Sequence, residues 1–169
     1  KSYSTSIILF FFIILAVMLQ IAVFSRLMLL RGSVDIVLLV LVAWNMQEDG
    51  PNMLSWTLLA GSLTAFASAL PFFAPIPGYL LVTGFARLTQ RRIWQSPLLV
   101  MLLVTLVGTL IYHLLSMGVL FMQTGSMQFE QAWNLVTLPS LLLNLLLAIP
   151  VYAIVHNVRD QINPINQQI

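Results

Sequence analysis

Few side chains in this sequence could take part in a reaction. It has 169 residues, of which two are histidines, five are acids and none is cysteine. His113 lies in the apolar stretch from Pro97 to Met122, and His156 lies near the end of another stretch. Glu48 and Asp49 are neighbours, so their side chains diverge. Paired carboxylates for acid–base chemistry and clustered metal ligands are therefore both unsupported. Without cysteine there is no disulfide, thiolate metal site or thiol nucleophile. No H-E-x-x-H, G-x-S-x-G or P-loop sequence occurs. The expectation is a protein that is not an enzyme, with no catalytic residue, cofactor or metal.

What remains is non-covalent chemistry. Gln20, His113 and Asn144 interrupt apolar runs. They could face one another and exchange hydrogen bonds of about 0.6–2 kcal/mol each, or they could line a path for a ligand or proton. Arg31 and Asp35 lie four residues apart. On a continuous helix they could pair, and Asp35 could cap the following helix, whose N-terminus favours negative charge. The alternative for both is contact with the extracytoplasmic segment of a partner. Gly61, Ala65 and Ala69 form one column of small residues, with Ala60, Thr64 and Ser68 beside it. Such a face either packs inside a bundle or docks a partner's transmembrane helix. Arg87, Arg91 and Arg92 form a basic cluster that suits lipid headgroups and topology control, or else a cytoplasmic protein.

The elements that carry these residues follow from where charge is missing. The chain is 60% apolar and 7% charged, with a mean hydropathy of +0.98. Soluble domains carry about 25% charged residues. Long apolar runs with charge between them define an all-α, polytopic membrane protein, because unpaired backbone in lipid is costly. A span of a bilayer about 30 Å thick needs about 20 residues. On that scale the sequence predicts a six-helix transmembrane bundle, one integral domain over residues 1–169. The helices are expected at Ser6 to Leu30, Val34 to Gln47, Met53 to Phe73, Gly78 to Thr89, Pro97 to Met122 and Ala132 to Val158. The second and fourth are short spans that the longer helices would shield. Pro139 and Pro150 are expected to kink the last helix.

The first apolar stretch follows Lys1 and is too long for the h-region of a cleaved leader, and no A-x-A site follows it. It is expected to be a retained first helix, with some native residues upstream of Lys1. With six spans, Lys1, Arg87, Arg91, Arg92 and Arg159 share one face, against Arg26 and Arg31 on the other. The positive-inside rule then puts both termini in the cytoplasm. The basic balance is thus a matter of topology and contact with membrane lipids, not of nucleic acid. Trp44, Trp56, Trp94 and Trp133 fall near expected helix ends, as in an interfacial aromatic belt.

The order of these features resembles the rod shape-determining MreD family of bacterial inner-membrane proteins. The resemblance covers most of the chain. It rests on Leu19-Gln20, on Val34-Asp35 leading into the apolar Ile36–Trp44, and on the Gly50 turn into a small-residue helix. It continues through Pro77-Gly78, Arg91-Arg92 and the closing run Leu141 to Tyr152 with Pro150-Val151-Tyr152. The chain has Val34 where the family commonly has proline, and only Ala65 to Leu70 where it often has an acid. The resemblance implies a non-catalytic scaffold of the cell-elongation machinery. Its partners would be a single-span protein of the MreC type, the peptidoglycan polymerase and transpeptidase pair, and the MreB filament. The fold of that family is similar to the vitamin-binding S-components of energy-coupling-factor transporters, which supplies an alternative function. Those dock through an A-x-x-x-A face on the first helix. Here Ala16 and Ala22 are six apart and cannot form it.

Overall fold

The computed structural model describes residues 2–24, 31–47, 53–68, 74–90, 96–126 and 128–162. It is an all-α bundle of the kind that the apolar runs predict. Helix α1 is Ser2–Leu19 and continues as a π-helical turn over Gln20–Phe24. Then come α2 (Ile36–Asn45), α3 (Met53–Ala67), α4 (Pro75–Gln90) and α5 (Pro97–Thr124). The last helix, α6, is built from Phe129–Ala132, a π-helical Trp133–Thr137 and Leu138–Ile162. Three stretches are long and apolar enough to cross a membrane, namely Thr5–Val23, Pro97–Thr124 and Phe129–Gln161. Their outward side chains stay bare within the chain, with Phe11 64%, Leu99 66% and Leu146 72% exposed. Lipid is the solvent that such faces fit, and the chain is a membrane protein.

The centre of the bundle is the shortest helix. Every residue of α2 is buried, none more than 7% exposed, because α1, α3, α4, α5 and α6 all pack on it. That explains its unbroken run of Ile, Val and Leu, since a helix enclosed on all sides has no polar face to keep. Trp44 is fully buried in this core with its ring 5.8 Å from that of Phe12. It is not part of an interfacial belt, contrary to the expectation from its place near a helix end. Trp133 does keep a partly open position, stacked on Phe129 at 6.2 Å. Trp94 lies outside the described residues.

Several boundaries depart from the expected ones, and two of them bear on the site. Helix α4 starts at Pro75 and not at Gly78. Proline is tolerated in the first turn, where the N–H would have no helical partner. Helix α2 starts at Ile36, with Val34 and Asp35 in extended chain. Close seams tie the rest together. A Cβ on Gly61 would lie 3.1 Å from the Cα of Ile76, and one on Gly108 would lie 2.8 Å from a methyl of Val82. Thr57 and Thr83 share a buried 2.8 Å hydrogen bond between α3 and α4. Helix α5 ends at Gly125, whose φ of 67° is the left-handed cap that glycine adopts most readily.

Candidate functional site

The second crossing is a broken span, and the break is the main polar feature of the protein. Residues 31–35 run extended along α6. The amide of Arg31 donates to the Leu135 carbonyl (3.0 Å), that of Ser33 to Ser140 Oγ (3.0 Å) and that of Asp35 to Asn144 Oδ1 (2.8 Å). Every second residue of an extended chain faces the same way. Two residues advance about 6.6 Å, close to the rise of four or five helical residues, so the two chains stay in register. Pro139 is part of the cause. It has no N–H to give the Leu135 carbonyl four residues back, and that carbonyl accepts from Arg31 instead. Gly32 allows the approach, since a Cβ there would lie 2.6 Å from the Ser140 nitrogen.

Length explains why a helix of ten residues suffices. It rises about 15 Å, and the five extended residues before it add about 16 Å, together about the 30 Å of a hydrocarbon layer. The break lies deep. Asn144, bonded to Asp35, is fifteen residues beyond Phe129, about 22 Å along α6 at 1.5 Å per residue. Asp35 is therefore enclosed within the bundle, 8% exposed, and not at an open edge as its position after Arg31 suggested.

The first amides of α2 are buried in the bundle and take their partners from protein. Asp35 is the N-cap, and its Oδ1 accepts from Leu38 N at 2.9 Å. Gln20 Oε1 accepts from Val37 N at 3.1 Å. The π-helical turn beginning at Gln20 is where α1 reaches the head of α2. Asn144 spends its amide hydrogen on Thr109 Oγ1 of α5 at 3.1 Å. From α4, the Tyr79 hydroxyl lies 3.0 Å from both oxygens of Asp35. The Tyr79 ring stacks on Tyr112 with centroids 5.2 Å apart, and Gly78 leaves room for that ring. Side chains from α1, α4, α5 and α6 thus converge on one helix terminus.

Beside this node lies a cavity of about 570 Å³. Its walls come from the C-terminal ends of α1, α3 and α5 and from the starts of α2 and α6. Polar lining is supplied by Gln20, Asp35, Thr64, Tyr112, His113 and Ser116, and apolar lining by Val17, Ile21, Val37, Met117 and Leu120.

The structure brings the intramembrane polar trio to one region but not into mutual contact. Gln20 and Asn144 bond the backbone around α2. His113 Nδ1 lies 3.4 Å from Thr137 Oγ1 and faces the cavity. Arg31 and Asp35 do not pair: Arg31 is exposed while Asp35 is buried against Tyr79, and the non-helical chain between them denies the pairing that a continuous helix would have allowed. The capping reading of Asp35 holds. Gly61 and Ala65 are buried, with Gly61 against Ile76 of α4, so this ladder is an internal seam and not an open docking face. Ala69, Arg91 and Arg92 lie outside the described residues, and Arg87 sits in the last turn of α4. Ser33, Thr109, Ser140 and above all Tyr79 were missed. Pro139, the residue that frees a carbonyl, was the available signal.

The class that these observations define is a polytopic α-helical membrane protein with a broken second span. Nothing narrower comes from comparison with known proteins: no family model, curated protein or solved structure matches the chain.

Proposed function

We propose that the protein is a non-catalytic scaffold subunit of the rod-shape type, in a bacterial cytoplasmic membrane with both termini inside. It would bind a single-span partner of the MreC type and support peptidoglycan synthesis by the polymerase and transpeptidase pair. The observation that carries this reading is the use of the intramembrane polar groups. Gln20, Asp35 and Asn144 are committed to holding α2 and its lead-in chain, not arranged around a reacting centre. The order of motifs along the chain supports the family, and the distribution of Lys and Arg supports the orientation. The test is co-expression with candidate single-span partners followed by purification in detergent. A stable complex, and rounded cells on depletion of this protein, are expected. Loss of every such partner alongside tight vitamin binding would overturn the reading.

One observation favours a second reading, a solute-binding subunit of a membrane transporter. The cavity carries polar side chains, whereas an enclosure of Leu, Val and Phe alone would have counted against it.

A further inference from the structure

Asp35 places a formal charge at membrane depth. Its hydrogen-bond donors are the Leu38 amide and the Tyr79 hydroxyl, both neutral. A carboxylate offers about four acceptor positions. Among the described residues no Lys or Arg pairs with it. An acid in hydrocarbon costs several kcal/mol unless a proton, a cation or a set of donors offsets it, and such residues commonly mark a site. Asp35 lines the cavity, and among the described residues no Lys or Arg lines it with Asp35.

Two further features point to the same place. Both π-helical turns border the cavity, the first through Gln20 and Ile21 and the second through Val136. Such turns are rare and recur at functional sites. The lining also divides by chemistry. Asp35, Gln20, His113 and the hydroxyls of Thr64 and Ser116 offer acceptors, and Val17, Ile21, Met117 and Leu120 offer an apolar wall. The volume is that of a small-molecule site.

We propose that this cavity binds a primary amine carried on an apolar body. The ammonium sits beside Asp35 and donates to the surrounding oxygens, while the body lies against the aliphatic wall. Anionic heads are disfavoured, because the carboxylate repels them and no Lys or Arg among the described residues lines the cavity to offset it. The amine has two natural sources, an aminolipid headgroup or a soluble amine. The proposal does not rest on the scaffold reading, which would stand or fall on partner capture alone.

The test uses the purified protein in nanodiscs of phosphatidylcholine only. The probes are dodecylamine and dodecanoic acid, each with a terminal trifluoromethyl group, followed by fluorine NMR. A saturable bound signal is expected for the amine, with the acid weaker by about tenfold or more. Ser116→Leu fills the cavity and removes only a bond to the Tyr112 carbonyl of its own helix. It should weaken the amine by about tenfold or more while leaving helicity and melting unchanged. Asp35→Asn should erase the preference for amine over acid. Displacement by butylamine would identify a soluble amine as the source. Displacement by lysophosphatidylethanolamine but not butylamine would identify a lipid, and either result upholds the site. Equal binding of amine and acid would overturn the proposal, as would unchanged binding in Ser116→Leu. So would the absence of any saturable amine signal, which would leave the charge of Asp35 to a proton or to a partner's side chain.

Discussion

Replacing Asn144 by alanine should be among the most destabilising single changes to a polar residue in this protein. The side chain is fully buried and makes two hydrogen bonds, accepting from Asp35 N at 2.8 Å and donating to Thr109 Oγ1 at 3.1 Å. The losses are unequal. The Asp35 amide belongs to extended chain at membrane depth, with no carbonyl of its own helix to turn to. Leaving such a donor orphaned costs about 1–3 kcal/mol. The Thr109 hydroxyl can rotate to a carbonyl of its own helix, so that bond is worth only about 0.6 kcal/mol, the mean for side-chain pairs between membrane helices. With a small void added, the sum is about 2–4 kcal/mol. Thr109→Val removes only the second bond and should cost about 0.6–1 kcal/mol. The assay is reversible unfolding in mixed micelles, with hydrogen exchange at the Asp35 amide as a local readout. An Asn144→Ala variant within about 0.5 kcal/mol of the native protein, or no worse than Thr109→Val, would refute the claim that the head of α2 is held from α6.

The remaining predictions test the other supports of the same architecture. Gly61→Leu should lower stability by about 1–3 kcal/mol in the absence of any partner, because its side chain meets the backbone of Ile76; Gly118→Ala, with open space at its Cβ, should be neutral or gain up to about 1 kcal/mol. A melting comparison of the two in detergent checks this, and an undisturbed Gly61→Leu would return that face to the list of docking surfaces. Pro139→Ala restores an N–H that competes for the Leu135 carbonyl, so the Arg31 amide should exchange faster with solvent deuterium while amides in α5 stay unchanged.

Much of the bundle was legible because lipid enforces a simple rule. Charge is excluded from spans, so the breaks near Arg31, Glu48-Asp49 and Arg91-Arg92 show in composition alone. The start of α5 was marked by Pro97; its end was expected at Met122, and the helix runs two residues further to the left-handed cap at Gly125. The Trp44 error came from counting distance along the chain. A tryptophan at a helix end is interfacial only if that helix reaches the interface, and α2 is enclosed on every side. The polar node was legible in its members and not in its bonds. Gln20 and Asn144 were found because they interrupt apolar runs, but their partners are backbone amides, which carry no signature in sequence. Asp35 was found as a cap, and its burial was missed because Arg31 beside it marked an exposed edge and Val34 and Asp35 were counted as helix.

The node makes the packing of four helices around α2 depend on one another. Gln20 of α1, Tyr79 of α4, Thr109 of α5 and Asn144 of α6 each bond to the head of α2 or to a residue that does. Loss of one partner leaves an unmet group in a setting without water, so neighbouring deletions should not add as independent changes. The cavity shares Gln20 and Asp35 with this node. A ligand seated there and absent from the unfolded chain would stabilise the bundle by RT ln(1 + [L]/Kd), about 2.7 kcal/mol at a hundred times Kd. That is comparable to the cost worked out for Asn144→Ala. Occupancy of the cavity and the firmness of the central helix are therefore thermodynamically linked. An Asn144→Ala protein rescued by a cavity ligand, but not by the same ligand after Ser116→Leu, would show the linkage directly.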